Sequence, residues 1–158
     1  MLYSASLFPA LLAIVQQATP APDTSATAVA VRADRAISID GKDTEDAWAK
    51  APRYSNFRQF QPKVNVDPTF RTEFRVAYDE RNLYVFVRMF DPHPDSIMRA
   101  LTRRDVRGSS DQIKLLIDSY KDKRSGYEFA VNPDGVKRDY AMSNDGNEDQ
   151  SWNGIWDV

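Results

Sequence analysis

The chain has 158 residues, 21 basic and 23 acidic side chains, a formal net charge of −2, and no cysteine. That length suits one domain with a true core, and the missing cysteines exclude disulfides, thiolate catalysis and Cys-ligated zinc. Without a basic excess to neutralise a phosphate backbone, no nucleic-acid partner is expected.

Residues 7–15 (LFPALLAIV) form an apolar run. It is shorter than the about 20 residues that span a bilayer and falls within the ~7–15 of a secretory h-region. Residues 1–21 are therefore read as a signal peptide, which makes the protein an exported one. The alternative is an apolar, disordered tail, since no Lys or Arg precedes Arg32 and neither Ala18 nor Ala21 makes a strong cleavage site. Residues 22–28 are a linker in composition, too poor in large apolar side chains to offset the entropy of ordering.

Order is expected from Val29. Val29, Val31 and Ala33, then Ile37 and Ile39, suggest one strand or two short ones ending at the Asp40-Gly41 turn. Asp43 is placed to cap a helical turn over 44–51, whose Ala47, Trp48 and Ala51 share one side until Pro52 stops it. Trp48 is read as a core plug. Residues 57–61 make a short predicted strand and 69–78 a strong one, with Phe70, Phe74, Val76 and Tyr78 on a dry face and Arg71, Glu73 and Arg75 on a wet one. The DERN connection at 79–82 leads to 83–90 (LYVFVRMF), apolar on both faces apart from Arg88, which places that strand in the middle of a covered sheet. Two prolines break the pattern at 91–95, a helical turn is expected at 96–101, and 99–110 is a polar, basic loop.

From 111 onwards the period of two returns. Ile113, Leu115 and Ile117 alternate with Lys114, Leu116 and Asp118, which predicts an interior strand. After a charged turn at 121–126, Tyr127, Phe129 and Val131 face one way and Glu128, Ala130 and Asn132 the other. Asn132-Pro133-Asp134-Gly135 reverses the chain into a third strand over 136–142, completing an antiparallel meander. With many short strands and no heptad or internal repeat, the fold class is all-β, an antiparallel β-sandwich.

The residues offer little for catalysis. His93 stands alone between two prolines, and there is no nucleophile elbow, phosphate loop or zinc motif. Asp118, Glu128 and Asp139 could supply a glycosidase pair, but each sits beside Lys or Arg, where structural pairing is the plainer use. No enzyme and no cofactor are expected. Asp145, Asn147 and Asp149 start with the spacing of a calcium loop, which then fails at Gln150 and Trp156. A structural calcium held by other geometry stays open beside a solvated loop. Sugar binding needs a flat aromatic face and fixed polar groups. Trp152, Trp156, Tyr127 and Tyr140 are the candidate faces, with Arg104, Asp111, Arg124, Asn132 and Asp139 as polar partners. Trp152 and Trp156, four apart, would share one side of a strand, and that side could equally be core. Asp111, Arg124 and Asp139 could instead form a buried ion network bracing the meander.

The blocks IDGKDTEDAWAKA (39–51), RVAYDERNLYVFVRMFDPHPD (75–95), RRDVRGSSDQIKLLIDSYKDKRSGYEFAVNPDGVKRD (103–139) and the closing WNGIWDV together resemble the family 9 carbohydrate-binding module. More narrowly, the chain resembles the version at the N-terminus of large exported bacterial proteins whose C-terminal part looks like an outer-membrane β-barrel. The resemblance spans residues 29–158 and implies a jelly-roll-like sandwich, a polysaccharide or oligosaccharide partner, and association in relatives with glycan-degrading enzymes. It also implies a periplasmic, outer-membrane or extracellular location, and a membrane barrel as a second partner. Two departures accompany it. Gly108, Ser109 and Ser110 stand where sugar-binding members carry a stacking tryptophan, and Lys114 stands for a strand glutamate that contacts sugar. Relatives also continue with further strands, so the sandwich is expected to be incomplete at the C-terminus, with an exposed sheet edge. The alternative function is a periplasmic structural or interaction domain that has lost sugar binding.

Overall fold

The computed structural model describes residues 27–144 and 146–158. The expected leader, residues 22–26 of the linker, and Asp145 of the acidic loop lie outside them. Strands β1 (Val31–Arg32), β2 (Thr72–Tyr78) and β3 (Leu83–Met89) form one sheet in the order β1-β2-β3. Strands β4 (Ile113–Ile117), β5 (Gly126–Val131), β6 (Lys137–Ser143) and β7 (Asn147–Asp149) form a second, antiparallel sheet in chain order. Among the described residues the helical elements are α1 (Asp46–Lys50) and a single 3-10 turn at Pro94–Ser96, where sequence had placed a turn at 96–101. The result is the β-sandwich class expected, with β1 pairing in parallel to β2 as its one mixed feature.

The β2–β3 hairpin closes as its turn chemistry requires, with Tyr78 opposite Leu83. The Asp79 carboxylate accepts the N–H of Arg81 at 2.8 Å, the Tyr84 hydroxyl at 2.8 Å and the N–H of Asn82 at 2.7 Å. Those bonds, the Arg81 N–H foremost, hold its carboxyl down to about 2.

The faces of β2 are the reverse of the expected ones. Glu73, Arg75 and Ala77 are the buried set, while Phe74 and Val76 are half-buried and Tyr78 is exposed. The cause is α1. Its Trp48, 3% exposed, packs with Ala47, Ala51, Ala33, Ile37 and Ala77 into a core that covers the charged face. Arg75 is satisfied inside this core: it donates to the Trp48 carbonyl at 2.8 Å and to Asp43, and its guanidinium lies 5.0 Å from the Phe86 ring centre. Asp43 therefore does not cap α1. It binds Arg75 and Arg88 instead, and the Arg75 hydrogen bond above all lowers its pKa.

Three further expectations change for one reason, the position of each segment in its sheet. β3 is an edge strand, half-buried on both faces, and not the sheet's centre. Residues 57–61 contribute only an isolated bridge between Gln59 and Val66. β4, read as interior, ends the second sheet.

Candidate functional site

In the second sheet, alternation puts Tyr127, Phe129 and Val131 of β5 on one face and Glu128 and Ala130 on the other, as their cross-strand partners confirm. The turn at 132–135 forms as expected. The Asn132 side-chain oxygen accepts the N–H groups of Asp134 (3.0 Å) and Val136 (2.9 Å), and Gly135 takes a φ of +76°.

On the Tyr127 face the organising group is Asp139 of β6, opposite Phe129 and 1% exposed. One carboxylate oxygen accepts the Trp156 indole Nε1–H at 3.0 Å and an Arg104 N–H at 2.5 Å. The other accepts the Gly154 N–H at 2.6 Å. Burial opposes ionisation, but the Gly154, Trp156 and Arg104 donors outweigh it and hold the carboxyl below its usual value. This one side chain fastens the terminal segment across the sheet. Lys137 helps, donating to the Trp156 carbonyl at 2.8 Å with its ammonium 5.3 Å from the Trp156 ring centre.

The clamp sets four aromatic rings together. Trp152 lies against Tyr127, with centroids 4.6 Å apart, and Phe129 meets Trp152 and Trp156 edge-on at 5.8 and 5.4 Å. Gly154 lets the segment lie this close: a Cβ there would come within 2.9 Å of the Trp152 ring and 3.0 Å of Phe129. The two indoles are both half-buried and share the Phe129 side, as their spacing suggested. The segment that carries them, however, is irregular chain beyond β7 and not a strand.

The opposite face is polar. Glu128 pairs with Lys114 at 3.1 Å and Arg138 at 3.0 Å, and burial is outweighed by Tyr140, Arg138 and Lys114, so its pKa is lowered. Tyr140, offered by sequence as a stacking face, is 3% exposed, and burial together with Glu128 raises its pKa. It has no ring face to give a ligand.

At the end of the sheet a depression of about 190 Å³ opens between the β4–β5 hairpin and β6, lined by Leu116, Ile117, Lys123, Arg124, Tyr127 and Met142 among others. Five predicted residues, Trp152, Trp156, Tyr127, Arg104 and Asp139, thus assemble on one face. Arg124 lines the depression, whose Leu116 and Met142 belong by register to the Glu128 face, opposite the Tyr127–Trp152 pair. Asp111 stands apart, accepting the Met98 N–H at 3.0 Å, and Asn132 holds the Ala100 carbonyl at 2.7 Å. No ion network joins Asp111, Arg124 and Asp139; Arg104 is the partner Asp139 takes. Of the suggested calcium ligands, Asn147 pairs with Ser143 in the β6–β7 ladder, and Asp149 accepts the Ser151 N–H and hydroxyl. Sequence reasoning missed Phe129 and Gly154 as functional positions. Phe129 showed only the alternation of a core residue, and Gly154 gave no signal of its own.

This antiparallel sheet, with its indole-bearing strap, sits within the stretch that family comparison recognises. Residues 39–155 match the carbohydrate family 9 binding domain-like family, and the chain belongs to it. No curated protein and no solved structure matched the chain.

Proposed function

We propose that the protein is a non-catalytic carbohydrate-binding module of an exported protein, and that it binds glycan through the Tyr127–Trp152 pair at the end of the second sheet. The observation that carries this is the difference between the two indoles. Trp156 gives its Nε1–H to Asp139 and acts as the anchor, whereas Trp152 lies against Tyr127 and both of these rings stay half-exposed. A half-exposed aromatic pair is what the apolar side of a sugar ring requires. Family membership supports the ligand class, and the apolar run at 7–15 supports export.

The opposite face favours a second reading, that of a structural or interaction domain of a surface barrel protein. Lys114, at the position of the relatives' sugar-contacting glutamate, is held by Glu128, and small residues fill 108–110. Titration of the tryptophan fluorescence with xylo-, cello- and chito-oligosaccharides separates the two. Glycan binding gives a saturable blue shift that Trp152→Ala abolishes while circular dichroism is retained. A folded protein that responds to none of the sugars leaves the structural role.

A further inference from the structure

The first sheet ends in an open edge. The Asp79 N–H bonds to the Asn82 carbonyl and the Phe90 N–H to the Arg71 carbonyl, so along β3 it is Tyr84, Phe86 and Arg88 that turn their backbone groups toward β2. Leu83, Val85, Val87 and Met89 turn theirs away from it. Among the described residues nothing hydrogen-bonds to those outward groups. The other sheet ends are blunted by the usual means, shortness and charge: β1 has 2 residues, β7 has 3 and includes Glu148 and Asp149, and β4 carries Lys114. β3 runs for 7 residues without proline, and its one charge, Arg88, is drawn to Asp43 at 3.1 Å.

Such an edge takes an added strand, and β3 is complementary to itself. When two copies lie antiparallel around a two-fold axis through Phe86, every outward group meets an outward group: Leu83 pairs with the partner's Met89 and Val85 with the partner's Val87. Leu83 and Met89, 54% and 56% exposed, then cover each other on one face. On the other face each Arg88 lies across from the partner's Tyr84, whose hydroxyl is bonded at 2.8 Å to Asp79. Asp79 is an anion at neutral pH, its carboxyl held down to about 2 by the Arg81 N–H above all, so the contact sets a guanidinium beside a ring and a negative charge. Registers shifted either way leave outward groups unpaired and separate these residues.

We infer that this edge is a dimer interface, at which a second copy of the chain adds its β3 to β3 and the two first sheets become one continuous sheet, β1-β2-β3 joined to β3-β2-β1. The pairing closes on itself, since β1 at either outer end is too short to take a further strand. It does not depend on the proposed sugar site, which lies on the second sheet.

Analytical ultracentrifugation of the protein over a concentration series tests this. The mass is expected to rise from one chain to two and stop there. Val85→Pro removes an outward N–H that β2 does not use, and holds the protein at one chain. A second set of variants, confined to the exposed ends of β3, spares the hairpin. Leu83→Lys with Met89→Lys sets like charges opposite one another and weakens the dimer at least about tenfold. Leu83→Lys with Met89→Glu sets opposite charges across the same pairs and restores most of it, and Leu116→Lys, on the second sheet, changes nothing. A single chain mass throughout overturns the inference, and masses beyond two chains overturn its closed geometry. A dimer indifferent to the like charges, or weakened by Leu116→Lys, overturns its location, and one that the opposite charges do not restore overturns its register.

Discussion

Replacing Asp139 with Asn tests whether one carboxylate fastens the terminal strap. The substitution keeps size and shape but leaves a single acceptor oxygen where two now serve three donors. Whichever way the amide turns, either the Gly154 N–H or the Trp156 indole N–H meets an NH₂ group. A buried donor stripped of its partner costs about 1–3 kcal/mol. The bond that survives goes to a neutral acceptor and loses about 1 kcal/mol more. Arg104, 40% exposed at its side chain, returns to water and adds little. Together these give about 3 kcal/mol, or a melting temperature lower by about 10 °C for a domain of this size. Urea unfolding followed by circular dichroism measures the loss, and the Trp156 emission should move to the red in the folded variant. A variant within about 0.5 kcal/mol of the parent, the range of ordinary surface changes, would refute the clamp.

Other consequences follow from the same geometry. Asp139 and Glu128 both have native pKa values below their ordinary 3.8 and 4.5, so their contribution is full above those values and fades as pH falls through the native ones. Urea midpoints taken from about pH 5 to about pH 2 should therefore decline, and less steeply in Asp139→Asn. Gly154→Ala forces a methyl into Trp152 and Phe129, destabilises by about 1–3 kcal/mol, and lowers the affinity for oligosaccharide by displacing Trp152; unchanged stability and binding would show that the strap has slack. Arg75→Met removes the donor to the Trp48 carbonyl and one partner of Asp43. It should lower the melting temperature by several degrees and loosen α1, measured as a weaker near-ultraviolet signal from Trp48.

The parts of this fold legible in the sequence are those whose cause is local. The β4–β5–β6 meander was readable because Asn132, Pro133, Asp134 and Gly135 specify their turn without help from distant chain, and because β5 alternates cleanly. β2 alternates just as cleanly, yet its buried face could not be chosen. Arg75 and Glu73 look solvent-facing until α1 brings Trp48 and Asp43 over them, and that placement depends on contacts 27 and 32 residues away in the chain. Strand position failed likewise: β3 is apolar on both sides and nevertheless an edge, since local pattern does not reveal neighbours. At the site, the even spacing of Trp152 and Trp156 led to the right side by way of a strand that is not there. What aligns them is Asp139, 17 residues before Trp156. Asp111 and Asn132 were chosen as polar ligand groups on residue type alone, and both are spent on loop backbone.

The three tryptophans make the most direct measurement available. The chain holds only Trp48, Trp152 and Trp156, so its indole N–H groups give three nuclear magnetic resonance cross-peaks, assignable by single substitutions. Trp48 lies in the core of the first sheet, Trp156 is tied to Asp139, and Trp152 lies against Tyr127 on the other face of the second sheet from Glu128. On titration with oligosaccharide, the Trp152 peak should shift and saturate, with Trp156 following weakly and Trp48 unmoved. A folded protein whose Trp152 peak stays still while sugar binds elsewhere, or while no sugar binds, would contradict the assignment of this site.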